Sequence, residues 1–125
     1  MQNRIFGTMD NGENVYLIKL FTNELSVNIL TFGAILQNMH FKHRSIVLGY
    51  SELQPYIENK FYYGAVIGRF ANRLKNGYAK LSHKTIQAEI NTDTGHHIHG
   101  GSKGSCYKNW QILEQSQSHV VLEVL

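Results

Sequence analysis

The chain has one cysteine, one proline and no apolar run approaching the length that crosses a membrane. Cys106 therefore has no partner for an intrachain disulfide, and no cysteine metal cluster can be drawn, which fits a reduced compartment. Helical periodicity is nearly absent, and so are internal repeats and low-complexity segments. Charge of one sign is scarce as well: the formal balance is only +3, scattered except at Phe41-Lys42-His43-Arg44. A nucleic-acid surface needs a basic stripe on one face, so no nucleic-acid partner is expected. Residues 1–7 are too polar for a secretory signal. These absences together predict a soluble, cytoplasmic protein with no membrane partner.

What is present suffices for one domain, since 125 residues with 42% apolar content can build a core. Short apolar runs separated by turn residues recur from end to end, the pattern of an antiparallel β domain. Asp10-Asn11-Gly12 reads as a turn, 15–21 as a strand and Thr22-Asn23-Glu24 as the next turn. From Leu25 the alternation puts Leu25, Val27 and Ile29 on one face and Ser26, Asn28 and Leu30 on the other, so a half-buried strand is expected. Gly33 interrupts it with a bulge or a close approach, and 34–41 resumes extended. Lys42-His43-Arg44 is a solvated turn leading into Ile46-Val47-Leu48 and a break at Gly49.

Ser51-Glu52-Leu53-Gln54 has capping-box spacing, but Pro55 follows, so 50–63 reads as a loop with at most one helical turn. Tyr50, Tyr56, Phe61, Tyr62 and Tyr63 crowd into it, either to cover a sheet end or to form a wall on which a sugar stacks. Further on, 77–81 and 85–90 read as a hairpin around Ser82-His83-Lys84, and 110–113 and 119–125 as two more strands.

Two segments carry the chemistry: Gly64-Ala65-Val66-Ile67-Gly68-Arg69-Phe70-Ala71-Asn72-Arg73 and His96-His97-Ile98-His99-Gly100-Gly101. Arginine offers a rigid fork of donors, asparagine a donor and an acceptor, and histidine a proton that moves near neutral pH. Such groups suit an uncharged, polyhydroxylated ligand, and the glycines let backbone approach it. On a strand His97 and His99 share a face and could ligate a metal, as in cupin barrels. That site also wants a glutamate soon after, whereas Gly100-Gly101-Ser102-Lys103 has none and Glu114 lies on another strand, so no metal is expected. Histidines in a polar loop, and proton or hydroxyl chemistry, are the other readings.

The run from Phe61 to Leu74, then Gly77, Asn91 and His97-Ile98-His99-Gly100-Gly101, resembles the aldose 1-epimerase (galactose mutarotase) family. Leu30-Thr31-Phe32-Gly33-Ala34, Val47-Leu48-Gly49-Tyr50 and Trp110 are similar to that family too. The resemblance implies an antiparallel β-sandwich, of which residues 1–125 would be the N-terminal portion. It implies an isomerase of carbohydrate metabolism that interconverts the α and β anomers of free hexoses such as galactose or glucose, without a cofactor. In that chemistry a glutamate takes the anomeric hydroxyl proton while a histidine protonates the ring oxygen. Carried over by motif, Asn72 and Arg73 bind sugar hydroxyls and His99 contacts the sugar as an auxiliary catalytic group. His97 ranks below His99; Arg69 reads as structural, bonded to loop backbone; an internal ion pair is the alternative role for Arg73.

The chain also departs from the pattern. The family's principal acid histidine, a binding aspartate and the base glutamate fall beyond Leu125, and neither Glu114 nor Glu123 stands in the matching motif. Gly104-Ser105-Cys106-Tyr107-Lys108 replaces the usual Gly-Phe-Asp-Lys. The apolar ending Val120-Val121-Leu122-Glu123-Val124-Leu125 reads as truncation, so the isolated chain is expected to be nearly inactive. The alternatives are a non-catalytic carbohydrate-binding module or an inactive gene fragment, the latter self-associating through an exposed sheet edge.

Overall fold

Alternating aliphatic residues make Asn14–Phe21 extended, and it pairs on both sides with neighbours joined by tight turns. In the computed structural model, which describes residues 3–58 and 60–125, five strands run in chain order through one antiparallel sheet. They are Arg4–Thr8 (β1), Asn14–Phe21 (β2), Leu25–Leu30 (β3), Leu36–Phe41 (β4) and Arg44–Ser45 (β5). Met1, Gln2 and Asn59, which fall within the N-terminal segment and the 50–63 loop, lie outside the described residues. The first turn closes where the Gly12 N–H donates to the Met9 carbonyl at 2.9 Å, and the second where the Thr22 N–H donates to Leu25 O at 2.8 Å.

Register explains which side chains are buried. Ile18 faces Ile29 and Leu20 faces Val27, so these four share one side of the sheet, while Leu17 faces Leu30 on the other. Leu30 is fully buried, although the alternation along β3 sets it among the polar residues. The sheet is covered on both sides at this point, which a two-face reading of β3 alone does not anticipate. A bulge between β3 and β4 at Asn28/Ile29 shifts the pairing there.

Val15, Leu30, Phe32, Ile35, Leu53 and Tyr56 form the core cluster. Burial of each large apolar side chain contributes roughly 1.5–3 kcal/mol. Leu53 and Tyr56 reach it from a short helix, Gln54–Glu58 (α1), and its approach. Here Pro55 sits in the first turn, where its missing N–H costs nothing, so it starts the helix instead of preventing it. The Tyr56 hydroxyl accepts the Tyr50 N–H at 2.7 Å, and Tyr50 and Tyr63 pack against the cluster. Those three aromatics pack into the core.

The second half builds smaller pairs: Arg73–Leu74 (β6) with His97–Ile98 (β9), Tyr78–Leu81 (β7) with Lys84–Gln87 (β8), and Gln111–Gln115 (β10) with Val120–Glu123 (β11). All of these pairs are antiparallel. Backbone ties join them to the sheet. The Gly33 N–H donates to Lys108 O at 2.8 Å, Trp110 N–H to Thr31 O at 2.8 Å, and Phe21 N–H to Gln117 O at 2.9 Å.

Gly64 locks the first chemical motif to this scaffold. Its φ is +65°, and a Cβ there would lie 2.2 Å from the Leu36 carbonyl oxygen. Its own carbonyl accepts the Leu36 N–H at 2.9 Å. Gly12 has φ +85° but open space around it. Gly64→Ala is expected to cost about 3 kcal/mol, from left-handed backbone plus a backbone clash, and Gly12→Ala only about 1 kcal/mol. Thermal unfolding followed by circular dichroism measures the contrast.

Candidate functional site

The site begins with a ladder only two residues long. Arg73 of β6 lies opposite Ile98 of β9, and Leu74 opposite His97. Beyond it the chains remain joined, because the His99 N–H donates to Asn72 O at 3.2 Å and the Asn72 N–H donates back to His99 Nδ1 at 3.0 Å. On its other edge β9 is held by a side chain. Asn91 Oδ1 accepts the Ile98 N–H at 2.7 Å, and its Nδ2 donates to Ile98 O at 3.0 Å. Asn91 thus takes the place of a neighbouring strand, a role that its position in the motif does not disclose.

Both Asn72 and His99 adopt left-handed backbone, with φ of 61° and 55°. Such conformations are sparsely populated for residues bearing a Cβ and concentrate at ligand sites. They also end the period-two alternation of β9. His97 and His99 take different partners there. His97 is buried; its Nδ1 lies 2.8 Å from Glu89 O and its ring meets the edge of Phe70 at 5.8 Å. His99 is half-buried beside Tyr62. Among the described residues no three His, Cys, Asp or Glu side chains gather as a metal site.

Hydrogen bonds assign the protons. His99 Nδ1 accepts from the Asn72 backbone, so the neutral ring carries its proton on Nε2 as a donor. His96 is held likewise, its Nδ1 accepting the Asn76 N–H at 3.2 Å. His97 is the opposite case: Nδ1 donates to a carbonyl, and Nε2 is buried without a partner among the described residues. Burial, then the Arg73 guanidinium, lowers the His99 pKa from its ordinary 6.5 and keeps the ring neutral.

Asn72 and Arg73 are exposed. Arg73 makes no ion pair among the described residues, so its alternative role as an internal salt-bridge partner is not realised. Arg69 is exposed too; among the described residues its guanidinium bonds to no loop backbone, and it lines a cleft of about 280 Å³ with Lys103 and Lys108. The Gly100-Gly101 turn packs tightly, since a Cβ on Gly100 would sit 2.2 Å from Gly68 O. The turn continues into Ser102, whose N–H and hydroxyl donate to Glu89 Oε2 at 2.7 and 2.9 Å and lower that carboxyl's pKa. Trp110 Nε1 donates to Ser105 O at 3.0 Å, securing the loop that departs from the expected Gly-Phe-Asp-Lys.

The antiparallel sheets, with Asn72 and His99 just beyond the Arg73–Leu74 and His97–Ile98 ladder, superpose on solved folds of the galactose mutarotase type. Residues 16–125 match the family model described as aldose 1-epimerase, and the chain belongs to that family. It is 34% identical over 106 residues to galactose mutarotase of Homo sapiens and 32% identical over 106 residues to that of Rattus norvegicus. Each match covers 80% of this chain and 31% of the relative. Among solved structures, the GalM/aldose epimerase homologue from C. elegans superposes with a TM-score of 0.79 at 26% identity, covering 86% of this chain and 35% of that one. Galactose 1-epimerase from Lactobacillus acidophilus shares the fold, with a TM-score of 0.79, 24% identity, and coverage of 95% of this chain and 36% of that one. The chain thus spans about a third of the length of the relatives it matches. No helix among the described residues is long and apolar enough to cross a membrane.

His99 couples the site to pH. With the folded pKa below 6.5, the unfolded chain takes up this proton first as pH falls. The stabilising contribution is complete above pH 6.5 and is lost as pH drops through the lower folded value. NMR titration of the His99 ring should give a midpoint below 6.5. In urea melts from about pH 7.5 to about pH 5.5, the His99→Gln variant should lose less stability than the parent.

Proposed function

We propose that this chain supplies the hydroxyl-recognising part of an aldose 1-epimerase site, acting on free aldohexoses such as galactose or glucose. The observation that carries this reading is the bond from the Asn72 N–H to His99 Nδ1. It leaves Nε2–H as a neutral donor beside the exposed Asn72 amide and Arg73 guanidinium. A sugar offers oxygens that accept from Nε2–H and the guanidinium, and hydroxyls that can pair with either end of an amide. A histidinium would double the donors but lose the Asn72 bond, so the lowered pKa favours the form able to do both.

In the mutarotation reaction His99 is the auxiliary group at the anomeric end, and Asn72 and Arg73 hold hydroxyls away from it. Proton removal from the anomeric hydroxyl and protonation of the ring oxygen need a base and an acid matched to neutral pH. Neither Glu114 on β10 nor Glu123 on β11 takes the base role in this reading, so the isolated chain binds sugar without turning it over. No cofactor enters the chemistry.

Titration with galactose and with glucose, followed by amide shifts, is expected to move Asn72, Arg73 and His99. Arg73→Ala or His99→Ala should weaken binding about five- to tenfold, the loss of one hydrogen bond of roughly 1 kcal/mol or slightly more. Polarimetry of freshly dissolved α-galactose should give the buffer rate. Mutarotation well above it, abolished by His99→Ala, would show that the chain holds its own acid and base and would overturn this division of roles.

A further inference from the structure

The aromatic cluster at 61–63 divides in the folded chain. Tyr63 turns to the core and stacks on Tyr50 at 5.4 Å, and Phe61 stacks on Tyr63 at 5.5 Å. Tyr62 goes the other way: its ring meets the His99 imidazole at 4.8 Å between centroids, inclined at 62°. Tyr107 stands edge-on behind it at 6.4 Å. We infer that Tyr62 is the positioning residue of this site, its ring fixing the plane of the His99 imidazole so that Nε2–H is held toward the sugar. The inference rests on the sugar-binding reading and adds the residue that orients its histidine.

The physical need is specific. A hydrogen bond at Nδ1 anchors one atom of the ring, but the terminal torsion of histidine is broad and leaves its tilt loosely defined. An edge-to-face neighbour at this distance supplies the second constraint, and such ring pairs have a preferred geometry beyond mere area. Tyr62 is itself held. Its φ is 54°, its carbonyl accepts the Ala65 N–H at 3.2 Å, and Gly64 in the same turn is wedged against Leu36. The ring of Tyr62 therefore belongs mechanically to the five-stranded sheet, whereas His99 belongs to the β6–β9 pair. Their contact is where the sheet sets the orientation of the histidine.

Tyr62 meets His99 ring to ring, so the ring carries this role. Left-handed backbone now unites Tyr62 with Asn72 and His99. Backbone held so far from its common basins at three converging residues is consistent with a prearranged site.

The test uses the whole chain with 15N-labelled histidine. In the parent, the His99 ring protons should show the ring-current shift and nuclear Overhauser contacts of Tyr62, and the imidazole nitrogens the Nε2–H signature. Tyr62→Phe should retain all of these, together with galactose affinity. Tyr62→Leu should move the imidazole shifts toward a tautomeric average and weaken galactose binding roughly five- to tenfold. Unchanged nitrogen shifts in a folded Tyr62→Leu protein would overturn the proposal. If that variant fails to fold, absence of the Overhauser contacts in the parent overturns it, and their presence with rescue by Phe supports it. A parent that binds no aldose, yet whose imidazole depends on Tyr62, removes the sugar reading while leaving the positioning role intact.

Discussion

The reciprocal pairing of Asn72 and His99 is the constraint on which the site depends. A ladder of two residue pairs is too short to define an orientation by itself, and β6 and β9 have no wider sheet to lean on. Two further bonds extend it, one from the His99 backbone and one to its ring. The second converts a backbone contact into a chemical specification, because a ring nitrogen that accepts from an amide cannot also carry the neutral proton. The tautomer of the neutral histidine thus rests on one 3.0 Å bond.

Around this bond the molecule arranges rigid support. Asn91 closes the free edge of β9, Glu89 secures Ser102 after the glycine pair, and Trp110 ties down the following loop. On the other side Gly64 presses the Tyr62 turn against the start of β4. The proposed recognition of a hydroxylated ligand would gain from such prior ordering, since side chains already fixed lose less freedom on binding. The buried, unpaired Nε2 of His97 stands apart from this pattern, and the structure offers no physical account of it.

Much of the frame was legible along the chain. The strand expected at 15–21, the Asp10-Asn11-Gly12 turn, the hairpin expected over 77–81 and 85–90, whose second strand ends at Gln87, and the terminal strands expected at 110–113 and 119–125 follow from alternation and turn residues, because these neighbouring strands pair in sequence order. Local rules failed where a neighbour decided the outcome. Leu30 is buried from the side that alternation made polar, whereas the single short helical turn allowed around Pro55 forms as Gln54–Glu58. Of the site, Asn72, Arg73 and His99 stood out by motif, but Asn91's bonds, Tyr62's direction and Arg69's lack of a backbone partner did not.

By itself, then, the sequence determined the antiparallel class and the family and pointed to the residue types of a candidate site, since these are written in short-range pattern and motif order. Only the tertiary structure decided what each histidine does. His99, His97 and His96 take their partners from Asn72, Glu89 and Asn76, and the first of these lies 27 residues away. Left-handed backbone at His99 ends the alternation of β9 that would otherwise predict where its side chain points. Once that period is broken, direction depends on contacts between distant segments, and those form only in the folded chain.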